Sequence, residues 1–135
     1  MTVSTDPYAL VVDDDPQLLV RLCDIVEEAG FRSYDSSSGD DALEQLRGVA
    51  NHVTLLFSDV EMPGGTDGFA LARHVAATWP WIEIVIASGV VEPREGDMPE
   101  KATFIPKPFT AEMVLMHLQT TLPDGKKPDP LKRAV

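Results

Sequence analysis

Five short apolar runs, alternating with segments of helical spacing, constrain the fold of this chain more than any other feature. Tyr8–Val12 (YALVV), Val53–Ser58 (VTLLFS) and Ile82–Ala87 (IEIVIA) are near-continuous apolar runs of strand length, the pattern of strands buried on both faces. Phe31–Tyr34 is a shorter strand of mixed polarity, and Ala102–Ile105 makes the fifth. After the first run, Leu18, Leu19, Leu22, Ile25, Val26 and Ala29 recur at helical spacing. Asp15 stands at the N-cap, Pro16 at the first helical position and Gly30 just past the end, each where helix termini favour that residue. Ser38 opens a second helix with Asp41 as its capping-box partner and Ala42, Leu43 and Leu46 as its stripe. Phe69–Thr78 is a third helix with Leu71, Ala72, Val75 and Ala76 on one face, ended by Trp79–Pro80–Trp81. Thr110 caps a last helix reaching about Thr121, with Val114, Leu115, Leu118 and Leu122 on one side. Strands alternating with helices imply an α/β fold with a parallel sheet covered on both faces.

Two stretches resist this pattern. Val90–Lys101 is broken by Pro93, Gly96 and Pro99, so a fourth helix between the last two strands is short, irregular or absent. Residues 123–135 hold Pro123, Gly125, Pro128 and Pro130 without periodicity and read as a disordered tail or linker stub. The organisation expected is an N-terminal extension over 1–7, one domain over 8–122, and that tail.

Charge and composition remove several function classes. The 22 acidic residues against 11 Lys and Arg give a net charge of −11, which repels nucleic-acid backbone and anionic membrane. No apolar run approaches the roughly 18 residues that span a bilayer. Met1–Pro7 has no basic-then-apolar signal pattern. The single cysteine, Cys23, excludes a disulfide framework and a multi-cysteine zinc site and reads as a small core residue. These features together point to the cytoplasm. His52, His74 and His117 lack metal-ligand spacing, and Met113 and Met116 read as packing residues of the last helix.

In a parallel α/β sheet, ligands bind where the loops at the carboxyl ends of the strands converge. That rule selects Asp13, Asp14 and Asp15 after the first strand, Asp59 after the third, Ser88 after the fourth and Lys107 after the fifth. Several carboxylates in one crevice repel unless a cation compensates them. Oxygen-only ligands favour a hard ion, Mg²⁺ or Ca²⁺. The metal, the Lys107 ammonium and the Ser88 hydroxyl are the parts phosphoryl transfer needs, because its catalysis is mainly positioning and charge neutralisation. A carboxylate can itself be the nucleophile, and Asp59, between the acids and the Ser/Lys pair in strand order, is the candidate. Asp15 is better read as the helix cap.

At these residues the chain resembles the receiver domains of two-component response regulators. The motifs are VVDDDP at 11–16, FSDVEMP at 57–63, IASG at 86–89 and PKPF at 106–109. Each is weak alone; their order and spacing are specific. The resemblance implies a flavodoxin-like, doubly wound five-stranded sheet of order 2-1-3-4-5. It implies that Asp59 is the phosphoacceptor and that Mg²⁺ is held by Asp14, Asp59 and the Glu61 backbone carbonyl, with Asp13 acting through water. Ser88 resembles the switch hydroxyl, Phe104 the switch aromatic (a core aromatic is the competing reading), and Lys107 the lysine of the phosphoryl site, with a cis bond to Pro108. The implied partners are a histidine kinase or histidine phosphotransfer protein and an unidentified downstream protein. The implied role is signalling rather than substrate turnover.

The chain departs from the family in three places. The loop PGGTDG at 63–68 carries one extra residue, the segment over 90–101 leaves the usual output face in doubt, and Glu61 puts a carboxylate beside the acceptor. The competing readings are a Mg²⁺-dependent phosphohydrolase with an aspartyl intermediate and a binding module that never takes phosphate. A receiver cut from a longer regulator is equally compatible with the sequence.

Overall fold

The computed structural model describes residues 7–62 and 64–133. The elements follow as β1 (Tyr8–Val12), α1 (Pro16–Glu28), β2 (Arg32–Ser36), α2 (Gly39–Val49), β3 (Val53–Asp59), α3 (Gly68–Thr78), β4 (Glu83–Ser88), β5 (Thr103–Pro106), α4 (Ala111–Thr121) and α5 (Asp129–Arg133). The strands form one parallel sheet in the order β2-β1-β3-β4-β5. This is the doubly wound order implied by the resemblance.

Period-2 alternation hides inside the continuous apolar runs. Ala9 and Val11 of β1, Leu55 and Phe57 of β3, and Val85 and Ala87 of β4 join Leu22, Ile25 and Val26 of α1 and Val114 and Leu118 of α4 in one buried cluster. The intervening Leu10, Val12, Leu56, Ile84 and Ile86 pack on the other face against Ala42 and Leu46 of α2 and Leu71, Ala72 and Val75 of α3. The apolar side chains of the central strands thus lie under helices on both faces, which is why these runs carry few polar residues.

The caps set the element ends. The Asp15 carboxylate accepts the Gln17 and Leu18 amides, and Ser38, Asp67 and Thr110 do the same for α2, α3 and α4. At the end of α1, the Gly30 amide donates to the Glu27 carbonyl and the Phe31 amide to the Val26 carbonyl, with Gly30 at φ 106°. This pair of bonds is the Schellman arrangement, and buried Phe31 closes it against Val26.

Three expectations need correction. The second strand begins and ends later than Phe31–Tyr34, because Phe31 belongs to the α1 cap and β2 pairs with β1 from Arg32 to Ser36. Met113 and Met116 are exposed; the inner face of α4 is filled by Val114 and Leu118. The disordered tail does not hold for residues 124–133. Asp124–Lys126 is a 3₁₀ turn, α5 follows, and Leu131 is 2% exposed within the cluster shared with α1 and α4. Pro128 packs over Gly30, close enough that a Cβ there would lie 2.6 Å from it. A five-residue helix with one buried leucine has no period to detect in sequence. Between β4 and β5, residues 90–101 form turns without helix or strand, as the prolines imply. Residues 1–6 of the extension expected over 1–7, Pro63, and residues 134–135 of the expected tail lie outside the described residues. Among the described residues, no helix is long and apolar enough to cross a membrane.

Candidate functional site

The carboxyl ends of β1, β3, β4 and β5 bring the selected side chains together. Asp13 directly follows β1 and is 1% exposed. Its Oδ1 accepts the Asp15 amide at 2.9 Å, so the same turn that caps α1 also fixes the Asp13 carboxylate. Asp14 beside it is exposed. Asp59 ends β3 and is 5% exposed. Its strand continues into the loop through the Val60 amide, which donates to the Ala87 carbonyl at 3.1 Å.

The start of α3 presses against this strand end. A Cβ on Gly68 would lie 2.1 Å from the Asp59 carbonyl oxygen, and the Gly68 amide donates to the Val60 carbonyl at 2.9 Å. Only glycine permits that approach. The loop between them is tied to α2 by the Thr66 hydroxyl, which donates to Asp40 Oδ1 at 2.6 Å.

Lys107 follows β5 and spans the crevice. Its Nζ donates to Asp59 Oδ1 at 3.0 Å and to Asp13 Oδ2 at 3.2 Å. Its backbone amide donates to the Ser88 carbonyl at 2.9 Å, and the Lys107–Pro108 peptide is cis. Beneath it, Phe109 meets Phe57 edge-on with ring centroids 5.9 Å apart. Ser88 ends β4 at 2% exposure. Phe104 lies in β5 opposite Ile86, is half-buried and belongs to neither core cluster.

The electrostatics of the crevice are unbalanced. Oxygens of Asp13, Asp14 and Asp59 all lie within 4.8 Å of one another. One ammonium faces these three carboxylates, and Glu61 stands nearby. Burial pushes the Asp59 carboxyl up to about 6; the Lys107 hydrogen bond and charge pull it down, and Asp13 and Glu61 push it further up. For Lys107, burial acts downward, but its bonds and charge pairing with Asp59 and Asp13 prevail and the net shift is upward. A raised carboxyl beside a raised ammonium means that Lys107 only partly neutralises the site. The remaining charge, on oxygen donors alone, suits a hard divalent cation.

The sequence had singled out each of these side chains, but it missed two features of the site. Glu61 was selected for its backbone carbonyl and for a carboxylate beside the acceptor, but not for the partner that carboxylate takes: the Ser88 hydroxyl donates to it, at 2.8 and 2.9 Å from its two oxygens. Gly68 was also missed as a site residue; its only trace in sequence is a glycine one position after an Asp cap.

The response regulator receiver domain family matches residues 9–119. The C4-dicarboxylate transport transcriptional regulatory protein DctD of Rhizobium meliloti is 31% identical over 121 residues, covering 84% of this chain and 25% of that protein. The sensor kinase CckA of Brucella abortus is 30% identical over 123 residues, covering 89% of this chain and 12% of that protein. The chain thus spans a quarter or less of these two curated relatives. A response regulator receiver protein from Sinorhizobium medicae superposes with a TM-score of 0.78 at 23% identity, over 86% of this chain and 94% of that one, a likeness of fold.

Proposed function

The chain belongs to the response regulator receiver domain family of two-component systems, and from that premise we propose that it is a phosphorylation switch whose acceptor is Asp59. The observation that carries this reading is the Lys107 ammonium bonded to both Asp59 and Asp13 within a cluster of three converging carboxylates. Such a group is poised to neutralise phosphoryl oxygens next to a nucleophilic carboxylate.

Mg²⁺ fits the donor set. Asp14, Asp59 and the Glu61 carbonyl would hold it, with Asp13 acting through water, and it would supply charge neutralisation to the phosphoryl oxygens. The step is a displacement at phosphorus. An Asp59 carboxylate oxygen forms the new O–P bond as the N–P bond of a phosphohistidine breaks, and the imidazole leaves, taking up a proton. Lys107 holds Asp59 oriented and then pairs with a phosphoryl oxygen. The Ser88 hydroxyl donates to another, and Phe104 is the aromatic that follows it.

The donor is a histidine kinase or a histidine phosphotransfer protein, and the output is a protein contact rather than nucleic acid or membrane, in keeping with the net charge of −11. The chain catalyses only its own phosphorylation and dephosphorylation. A phosphohydrolase would use a free carboxylate two residues after the nucleophile as its acid or base; here that carboxylate, Glu61, is bonded to Ser88.

Acetyl phosphate with Mg²⁺ tests the reading. Intact-mass measurement is expected to find a single phosphoryl adduct on the natural chain and none on Asp59→Asn or without Mg²⁺. An adduct on Asp59→Asn at the same level would remove the assignment.

A further inference from the structure

The Ser88 hydroxyl has one proton and two lone pairs, and all three are engaged. The proton is shared between the two Glu61 oxygens, at 2.8 and 2.9 Å. The lone pairs accept the Val90 amide at 3.1 Å and the Val91 amide at 2.9 Å. Ser88 is 2% exposed, so water cannot readily replace a partner that leaves.

We propose that Glu61 is a positioning residue for Ser88: its carboxylate holds the Ser88 proton until a phosphoryl group on Asp59 competes for it. The inference rests on the phosphoacceptor reading and goes beyond it, because it assigns a role to the Glu61 side chain. A phosphoryl oxygen can recruit the hydroxyl only by breaking a charge-assisted bond, which opposes the phosphorylated state. The hydroxyl proton and lone pairs turn together, so the Val90 and Val91 amides lose their acceptor when the proton is taken.

Those two amides begin the helix-free segment of 90–101. Beyond them it is held by the Arg94 amide on Asp97 Oδ2 at 2.7 Å and by Arg73 Nη1 on the Asp97 carbonyl at 2.6 Å. Val90 itself is 84% exposed. Phosphorylation is therefore read at the surface as a movement of Val90 and Val91, with Glu61 setting how much phosphoryl binding that movement needs. The chain has no helix at this position to carry the signal, and the turn on Ser88 takes its place.

A double-mutant cycle tests this with beryllofluoride and Mg²⁺ as the phosphoryl mimic, titrated into the natural chain, Glu61→Ala, Ser88→Ala and the double variant. Glu61→Ala is expected to tighten binding about tenfold when Ser88 is present, the lower range for one charge-assisted hydrogen bond, and by less than about twofold when it is absent. In the unliganded Glu61→Ala chain, the Val90 and Val91 amide resonances are expected to lie part-way towards their positions in the beryllofluoride complex of the natural chain. Equal tightening in both backgrounds would mean that Glu61 acts by charge repulsion alone and would overturn the proposal, as would unmoved resonances. Failure of the natural chain to bind beryllofluoride would instead remove the phosphoacceptor reading, and this proposal with it.

Discussion

Asp59 folds into a place that disfavours its own charge. Burial raises its carboxyl to about 6 from an ordinary 3.8, so between those two values the folded chain holds a proton that the unfolded chain has released. Stability contributed at this position is thus full below about pH 4, falls as the pH rises and is lost above about pH 6. Asp59→Asn removes the charge at nearly constant shape and is expected to stabilise the metal-free chain by about 1–3 kcal/mol at pH 7.5. The gain shrinks to little at pH 4, as urea denaturation at the two pH values would measure. A variant no more stable at pH 7.5 than the natural chain would mean that Lys107 compensates the carboxylate fully. His117 shifts the other way: burial lowers its pKa, so its contribution is present above its unfolded value and is lost as the pH falls from there through the lowered folded value. For this reason the comparison is made between variant and natural chain at each pH. Mg²⁺ should raise the melting temperature of the natural chain and much less that of Asp59→Asn, since binding to the folded state alone stabilises it.

At the scale of elements, the site depends on where strands stop and helices start. The contact between Gly68 and the Asp59 carbonyl leaves no room for a side chain. Gly68→Ala is expected to cost about 1–3 kcal/mol and to weaken Mg²⁺ binding, because the added Cβ meets backbone atoms of Asp59 and Val60 rather than a side chain that could turn away, and the end of β3 has to move. Unchanged stability and metal affinity would show that the loop absorbs the extra carbon. Most of this layer was legible in sequence. DDDP announced a strand end, a cap and a first helical turn at once, because the side chains that bind at α/β strand ends sit beside those that start helices. The strand boundaries were shifted by a residue or two at β2, where Phe31 looks like strand but closes the α1 terminus. The Glu61–Ser88 bond was not legible. It joins side chains 27 positions apart, and no local pattern distinguishes a carboxylate facing solvent from one facing a hydroxyl.

At the scale of the whole molecule, the fold is closed by a segment that sequence alone reads as a tail. Leu131 sits in the cluster between α1 and α4, next to Pro128 on Gly30. Leu131→Ala is expected to destabilise the chain by about 2–4 kcal/mol in urea unfolding; no change would mean that the segment is not docked in solution. One buried leucine among prolines has neither the length nor the period of an amphipathic helix, whereas the three central strands declared themselves because each is buried on both faces. The same closed architecture delivers four strand ends to one crevice, and the central claim is that their meeting makes Asp59 the residue that takes the phosphoryl group. Borohydride reduction of the chain after acetyl phosphate and Mg²⁺ treatment, followed by peptide mass mapping, tests it directly, since an acyl phosphate is reduced to an alcohol. The expected result is homoserine at position 59 and at no other aspartate; conversion at Asp13 or Asp14, or at none, would contradict it.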